Sequence, residues 1–249
     1  YLRAQKKEDT SEKINFNNAN EIPFVTIQLP VYNELYVMER LLENIAKIEY
    51  PKNKLEIQVL DDSTDDTIED TAAQIKQLQE TGLDIQHIRR TNRQGFKAGA
   101  LKEGLEIAKG EFIAIFDADF LPEKDFIKRM VQPFQDPNIG MVQSRWEHIN
   151  ERYSMLTKLQ AFGLDAHFSV EQGGRNAGQH FINFNGTAGV WRKAAIADAG
   201  GWQRYFFVGV ALVVAVVLII QLCKPISRSE AIAYCLMLGG AIGNTIDRL

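Results

Sequence analysis

The sequence of 249 residues is poor in the features that mark several common protein classes. It has only two cysteines, Cys223 and Cys235, and both lie in apolar runs near the end of the chain. A disulfide scaffold and a cysteine-histidine zinc site are therefore disfavoured. The 28 Lys and Arg against 32 Asp and Glu give a formal net charge of −4. Such a chain has no strong positive field with which to bind nucleic acid.

Several catalytic signatures are missing as well. The paired glycines at 173–174 and 239–240 do not form the Gly-x-Gly-x-x-Gly turn that follows a strand in dinucleotide-binding dehydrogenases. No serine sits in a nucleophile-elbow pattern, which disfavours a hydrolase of that kind. The four histidines show no metal-ligand spacing, so surface or core positions are expected for them.

What the sequence does have is a sharp change in hydropathy near residue 203. Tyr205 to Cys223 contains no charged residue and a single Gln. Nineteen such residues can cross a bilayer core of about 30 Å at about 1.5 Å per residue. A second, shorter apolar run, Ala231 to Ile246, contains three glycines. We therefore expect a polar domain followed by two membrane helices.

Before that change, short β-branched runs alternate with amphipathic helical patterns, which predicts a mostly parallel α/β sheet flanked by helices. Helices are predicted over Leu35 to Ala46 and Thr67 to Gln79, the second capped by Ser63, Thr64 or Asp65. The predicted strands are Phe24 to Leu29, Glu56 to Leu60, Asp84 to Arg89, Phe112 to Phe116 and Gly140 to Gln143.

Ligands of such sheets bind beyond the carboxyl ends of the strands, where this chain carries polar or glycine-rich residues. The strongest signal is Asp117-Ala118-Asp119, which follows the apolar run of the fourth predicted strand. Two carboxylates in this arrangement can face Mg²⁺ or Mn²⁺, although Asp-x-Asp also occurs by chance or as a helix cap. Its position at a strand end favours a metal that bridges a diphosphate.

Three further segments are candidates on their own residues. Asp61 or Asp62 follows the second strand and could accept hydrogen bonds from a nucleobase or ribose, although the cluster could also be a solvated turn. Lys97, between Gly95 and Gly99, could contact a diphosphate or be an ordinary exposed lysine. The turn from Phe184 to Gly189 could be part of a site or merely a bend.

Six motifs in order resemble the family 2 glycosyltransferases of the cellulose-synthase superfamily, and are especially similar to the cellulose-synthase-like enzymes that make β-mannan or glucan backbones. The resemblance runs from about Pro23 to Trp202. The motifs are PVYNE, QVLDDSTDDT, GFKAGALKEGL, AIFDADF, MVQSRW and FNGTAGVWR.

The resemblance implies a GT-A fold and an inverting transfer of a hexose from a UDP- or GDP-sugar to a growing β-linked polysaccharide. Tyr32 and Glu34 would line the nucleobase pocket together with Asp61 or Asp62, and Lys97 would contact the diphosphate. The remaining assignments are Asp117 and Asp119 for the metal and nucleotide, and Phe184, Asn185, Gly186 and Thr187 for the acceptor sugar.

The chain also departs from that family. The Thr-Glu-Asp motif, which carries the general base, and the Gln-x-x-Arg-Trp motif do not occur in these residues. Loss of a general base removes a contribution of about 10²- to 10⁴-fold. We therefore expect nucleotide-sugar binding with little polymerisation, and a non-catalytic nucleotide-sugar-binding protein remains an alternative.

From about residue 200 the tail resembles lipoprotein signal peptidase, an integral-membrane aspartyl peptidase. Asn244 and Asp247, in Gly-Asn-x-x-Asp-Arg, match a catalytic motif of that family, which makes a membrane peptidase fragment the second alternative. The expected organisation is a polar lead-in at 1–22, a truncated glycosyltransferase domain at 23–202 and a two-helix tail at 203–249. We interpret the chain as a chimera, with a natural fusion as the alternative. The expected location is the cytoplasmic membrane, with the transferase domain on the cytoplasmic side, although the tail's own orientation argues for the opposite side.

Overall fold

A computed structural model of the chain describes residues 14–147, 150–178, 180 and 184–199. Six strands form one sheet: β1 (Val25–Val31), β2 (Leu55–Asp61), β3 (Asp84–Arg89), β4 (Phe112–Ile115), β5 (Met141–Gln143) and β6 (Gly189–Arg192). The α-helices are α1 (Leu35–Ala46), α2 (Thr67–Glu80), α3 (Phe96–Ile107), α4 (Phe126–Val131), α5 (Met155–Ala166), α6 (Gly173–Ala177) and α7 (Lys193–Ala199).

The strand order is β3-β2-β1-β4-β6-β5, and the first four of these strands are mutually parallel. β6 runs antiparallel to both of its neighbours, β4 and β5. The carboxyl ends of β1 to β4 therefore lie at one edge of the sheet, and the beginning of β6 lies at the same edge. The mixed α/β architecture with a mostly parallel sheet confirms that part of the sequence prediction.

The first helices and strands follow the local pattern closely. α1 and β3 have the predicted bounds, and α2 extends one residue further than expected. The side chain of Asp65 accepts a hydrogen bond from the Thr67 N–H at 3.1 Å, so one of the three expected capping residues serves the start of α2. The strand missing from the sequence prediction is β6, which occupies an interior position of the sheet.

The two faces of the sheet differ in chemistry. On one face, Val25, Ile27 and Leu29 belong to the same buried apolar cluster as the inward side of α1. On the other, Gln28 donates to Gln58 at 3.0 Å beneath α3, where a Cβ on Gly104 would lie 2.7 Å from the Gln28 amide. This bond gives the buried Gln28 amide N–H and Gln58 Oε1 each a partner, without which they would be costly to bury.

The chain forms two compact units, Tyr1–Lys193 and Ala194–Leu249. β1 to β6 and α1 to α6 all belong to the first unit. The two predicted membrane helices lie outside the described residues, and no helix within the described ranges is long and apolar enough to cross a bilayer.

Candidate active site

A cavity of about 380 Å³ opens at the carboxyl edge of the sheet. This size is within the usual range for small-ligand sites. Six of the seven residues predicted to bind the nucleotide sugar or metal line it: Tyr32, Glu34, Asp62, Lys97, Asp117 and Asp119. The remaining lining residues are Pro30, Val31, Leu60, Arg93, Ala100 and Ala118.

Of the two candidate carboxylates after β2, Asp62 lines the cavity and Asp61 does not. Asp61 is the last residue of β2, and its side chain is fully buried. It accepts hydrogen bonds from the Ser63 N–H at 2.8 Å and contacts His87 Nε2 at 2.7 Å. Burial raises the pKa of Asp61, but its hydrogen bonds with His87 and Ser63 outweigh burial and leave the pKa below its ordinary value. Asp61 therefore links the end of β2 to β3 through His87, whereas Asp62 lines the cavity.

Asp62 is held by a buried arginine. Arg90, just after β3, donates through Nε and Nη2 to the two Asp62 oxygens, both at 2.6 Å, and each side chain is 7% exposed. The same guanidinium donates to the carbonyls of Gln94 and Phe96 at 2.8 and 2.7 Å. The hydrogen bond to Asp62 raises the pKa of Arg90. One side chain thus joins the carboxylate to the loop that leads into α3.

Glycine is required at two positions here, one directly before α3 and one in the first turn of α3. Gly95 has a φ of +73° and precedes the first residue of α3, which the left-handed conformation favours. A Cβ on Gly99 would lie 2.0 Å from the Gln94 carbonyl oxygen and 2.5 Å from Arg90 Nη1. The glycines therefore permit the close approach of the loop to Arg90.

A cation stacked on an aromatic ring forms part of the cavity wall. The guanidinium carbon of Arg93 lies 3.2 Å from the centroid of the Tyr32 ring and 5.2 Å from that of Phe96. Arg93 Nε also lies 3.9 Å from Asp62. The aromatic rings are 41% and 65% exposed, so they present apolar surface to solvent beside a positive charge.

Lys97 and Asp117 form an ion pair across the cavity, between α3 and the end of β4. Lys97 Nζ also donates to the Gly186 carbonyl oxygen at 2.9 Å. Both side chains of the pair remain about 40% exposed, at 41% and 37%. An anionic ligand in the cavity could therefore replace Asp117 as the partner of Lys97.

The turn from Phe184 to Thr187 reaches the site because β6 pairs with β4. Thr187 Oγ1 accepts the Asp117 N–H at 2.9 Å, and Thr187 is buried. Phe184 packs its ring against Trp191 at a centroid distance of 5.3 Å. Asn185 is tied to Gln143 and His167 at 3.2 and 3.3 Å. None of the four predicted acceptor residues lines the cavity described above, although Gly186 and Thr187 directly contact residues that do.

Residues with the unfavourable left-handed backbone conformation lie around the carboxyl edge of the sheet. Among the described residues, the non-glycine residues with positive φ are Asn33, Phe96 and Ala188, at 55°, 48° and 56°. Each belongs to a segment that enters the site. The Asn33 N–H donates to Ser63 Oγ at 2.9 Å, and the Asn33 side chain accepts the Thr64 N–H at 2.9 Å, which holds the first two strand ends together. Conformations of this kind persist where surrounding contacts enforce them, and they cluster at functional sites.

The donor chemistry fits a hard divalent cation. Asp117 and Asp119 both line the cavity and supply carboxylate oxygens, the ligands that Mg²⁺ and Mn²⁺ prefer. Within the described ranges no group of three His, Cys, Asp or Glu side chains converges on one point. A cation here would complete its coordination with substrate phosphate oxygens and water, as Mg²⁺ commonly does.

Sequence reasoning missed Arg90, Arg93 and the bracing role of His87. Arg90 and Arg93 lie in the segment that follows β3, and an arginine in a loop carries no local signal of what it contacts. Asn244 and Asp247, the peptidase-like residues of the tail, lie outside the described residues.

Comparison with known families gives two matches along the chain. The family described as "Glycosyl transferase family 2" matches residues 26–197. The family described as "Signal peptidase (SPase) II" matches residues 167–249. The matches overlap over residues 167–197, a stretch that includes β6.

Curated relatives include the probable glucomannan 4-beta-mannosyltransferase 7 of Oryza sativa subsp. japonica, which is 46% identical over 189 residues. That alignment covers 74% of this chain and 32% of the relative. The glucomannan 4-beta-mannosyltransferase 1 of Cyamopsis tetragonoloba is 42% identical, with 77% of this chain and 37% of the relative covered. The chain therefore spans about a third of the length of the curated relatives it matches.

Among solved structures, the mannosyltransferase PcManGT from Pyrobaculum calidifontis, in complex with GDP-Man and Mn²⁺, superposes with a TM-score of 0.55 at 20% identity. The superposition covers 91% of this chain and 73% of that one. S. aureus TarS gives a TM-score of 0.50 at 14% identity, with 86% and 42% covered. At these identities the likeness shows a shared GT-A-like fold.

Proposed function

The chain belongs to the family 2 glycosyltransferases, and from this membership we propose that its cavity binds a nucleoside diphosphate sugar for hexose transfer to a growing β-linked polysaccharide. The observation that carries the proposal is the convergence of Asp62, Lys97, Asp117 and Asp119 on one cavity at the carboxyl edge of the sheet. These side chains offer hydrogen-bond acceptors, a cation and a carboxylate pair, which are the groups that a nucleotide diphosphate needs.

We assign the nucleoside to the part of the cavity lined by Tyr32 and Asp62. Asp62 is fixed by Arg90 and accepts hydrogen bonds from a base N–H or a ribose hydroxyl, while the Tyr32 and Phe96 rings offer apolar surface to the base. The close contact of Arg93 with Tyr32 keeps that ring in place.

We assign the diphosphate to the part lined by Lys97, Asp117 and Asp119. When the nucleotide enters, Lys97 exchanges its bond to Asp117 for bonds to phosphate oxygens, since both are exposed enough to re-pair. Asp117 and Asp119 would then hold the Mg²⁺ or Mn²⁺, which supplies charge neutralisation at the departing diphosphate. Thr187 keeps the backbone of Asp117 in position throughout.

We propose mannose, carried by GDP, as the donor sugar, and an inverting transfer. The donor assignment is supported by the names of the curated relatives, glucomannan 4-beta-mannosyltransferases, and by the GDP-Man in the PcManGT structure.

The test is a titration of the full chain in detergent with GDP-mannose or UDP-glucose, with and without Mn²⁺. We expect Mn²⁺-dependent binding of GDP-mannose, and at least a tenfold loss of affinity in Asp119→Asn, because the variant keeps the shape but loses the charge. Asp66→Asn is the matched control, since Asp66 is an exposed carboxylate near the same edge that does not line the cavity. Transfer of labelled mannose to a manno-oligosaccharide then distinguishes an enzyme from a binding protein.

Binding that is independent of Mn²⁺, or equal losses in Asp119→Asn and Asp66→Asn, would contradict the metal assignment. Preference for UDP-glucose would overturn the donor assignment while leaving the site in place.

For the tail we propose that a signal-peptidase-like segment follows the transferase domain after β6. The peptidase-family match begins at residue 167, but β6 pairs with β4 and β5 inside the sheet and so belongs to the transferase fold. A single continuous DNA read across the codons of Ile196 to Val210 tests whether the fusion is natural. If the sequence is an artificial chimera, we expect no single DNA molecule to contain both sides of the junction. In a separate assay we expect the full chain not to cleave a prolipoprotein.

The proposed location is the cytoplasmic membrane, with the transferase domain on the side that holds nucleotide sugars. It is supported by the uncharged run from Tyr205 to Cys223. Accessibility of Cys223 and of cysteines placed in the domain to a membrane-impermeant thiol reagent, in intact cells and in inverted vesicles, tests this orientation.

A further inference from the structure

Two arginines lie next to Asp62 at the nucleoside end of the cavity, and they differ in how their donors are used. Arg90 donates through Nε, Nη1 and Nη2 to Asp62 and to two backbone carbonyls, so it is committed to the fold. Within the described ranges the Arg93 guanidinium donates no hydrogen bond, although Arg93 lines the cavity and its Nε lies 3.9 Å from Asp62. The N–H groups of Arg93 are therefore available to a ligand.

The position of the Arg93 side chain is fixed even though its donors are unused. Its guanidinium carbon lies 3.2 Å from the centroid of the Tyr32 ring, and the Arg93 carbonyl oxygen accepts the Phe96 N–H at 3.1 Å. A guanidinium stacked on a ring keeps its N–H groups in its own plane, where they can still donate. Because 38% of the Arg93 side chain is exposed, a ligand in the cavity can reach these donors.

Asp62 offers the complementary chemistry at the same place. Each of its two oxygens accepts one hydrogen bond from Arg90, and a carboxylate has about four acceptor sites, so each oxygen can accept a further bond. The cavity wall therefore presents two acceptors beside a fixed set of donors. A planar group that carries two adjacent donors next to an acceptor can pair with this wall at all three positions.

Among the nucleobases, guanine has this pattern. Its N1–H and N2 amino group are adjacent donors, O6 is the acceptor next to N1, and N7 is a second acceptor on the same side. Arginine commonly donates two hydrogen bonds to O6 and N7 of guanine where proteins read DNA. Uracil has one donor between two acceptors, and adenine has an amino donor where guanine has O6. The wall therefore fits guanine best and opposes the amino group of adenine.

We propose that Arg93 selects a guanine base by donating to its O6 and N7, while Asp62 accepts from N1–H and the N2 amino group. This inference rests on the nucleotide-sugar site proposed above, and it names the residue that distinguishes the bases. The cavity wall supports a guanine nucleotide independently of the names of the curated relatives. Tyr32 then acts by holding the guanidinium of Arg93 in place.

The test measures the affinities of GDP, UDP and ADP for the full chain in detergent with Mn²⁺, in the wild type and in Arg93→Ala. The diphosphate is the same in all three nucleotides, so the ratio of their affinities reports the base alone. Lys102→Ala is the matched control, because Lys102 is an exposed cation on α3 that does not line the cavity. Arg93→Lys keeps the charge but loses the planar set of donors. Inosine diphosphate keeps O6 and N7 but lacks the N2 amino group, so it tests the contact with Asp62.

We expect the wild type to bind GDP about tenfold more tightly than ADP, with UDP between them. Arg93→Ala should weaken GDP binding by about tenfold, since it removes charge-assisted hydrogen bonds, and should leave ADP binding nearly unchanged. Unchanged ADP binding also shows that the variant is folded. Arg93→Lys should lose most of the preference for GDP, and Lys102→Ala should lose none of it. Inosine diphosphate should bind the wild type more weakly than GDP does and should still depend on Arg93.

Equal losses for GDP and ADP in Arg93→Ala would overturn the proposal, because Arg93 would then contact the ribose or the diphosphate. Tighter binding of all three nucleotides by this variant would also overturn it, because the guanidinium would then only occupy the place of the base. Both results would leave the proposed function standing. Failure of the wild type to bind any of the nucleotides would refute the proposed function and this inference with it.

Discussion

Arg90→Ala should expose how much of the site depends on one buried guanidinium. The substitution removes both bonds to Asp62 at 2.6 Å and the bonds to the carbonyls of Gln94 and Phe96. Asp62 would remain with its side chain only 7% exposed. The other cation near it, Arg93, has its Nε 3.9 Å away and is itself 38% exposed, so it can compensate only in part.

The expected cost follows from this burial. Removing one partner of a buried ion pair typically costs about 3–5 kcal/mol, because the other charge is left without compensation. For a domain of this size, that corresponds to a fall of roughly 6–20 °C in Tm. Arg90→Lys keeps the charge but loses the fork that binds both carboxylate oxygens, so its effect should be intermediate. GDP-mannose affinity should fall in the same order, since Asp62 and the α3 loop lose their common support.

The assay is thermal and urea unfolding of the full chain in detergent, followed by circular dichroism and tryptophan emission. A double-mutant cycle with Asp62→Ala isolates the pair. We expect the double variant to be more stable than the sum of the single effects predicts, with a coupling of about 1–3 kcal/mol. If the single effects add to within about 0.5 kcal/mol, the two side chains are not coupled and the reasoning is refuted.

Two further predictions concern Asp61 at the end of β2 and Gly99 in the first turn of α3. The lowered pKa of Asp61 means that its ionised form contributes stability above its ordinary pKa of 3.8, and that this contribution is lost as the pH falls from there through the lower folded-state value. In Asp61→Asn the free energy of unfolding should therefore fall less steeply as the pH is lowered into the acid range, as measured by urea unfolding at a series of pH values. An unchanged pH dependence would show that ionised Asp61 does not stabilise the fold. Gly99→Ala should destabilise the domain by about 1–3 kcal/mol and weaken nucleotide binding, because the added Cβ would overlap a backbone carbonyl. Gly163→Ala in α5 is its control: nothing lies within 4 Å of that Cβ, and a gain of about 0.5–1 kcal/mol is expected from helix propensity. Equal changes in the free energy of unfolding for Gly99→Ala and Gly163→Ala would contradict the steric argument.

The local chemistry of the chain predicted most of the elements around the site. β-branched runs and amphipathic spacing located α1 and β3 with their observed bounds, because these signals act over a few residues. The position of Asp117 and Asp119 after an apolar strand also followed from the local pattern, since a parallel sheet collects its strand ends at one edge.

Other features of the site depended on contacts between distant segments. β6 is only four residues long, and it became a strand because β4 and β5 offer edges on both of its sides. Its antiparallel direction brings Thr187 to Asp117, a pairing that spans 70 residues. No periodicity within four residues can specify such a partner.

The sequence alone determined the family, the first five strands along the chain and the group of carboxylates and lysine from which the site is built, because these are properties of local composition and ordered motifs. Alternation along a strand also required Asp61 and Asp62 to point in opposite directions. Only the tertiary structure decided which of the two faces the cavity, because His87, from a neighbouring strand, holds Asp61 in the core and Arg90, just beyond that strand, holds Asp62 at the edge.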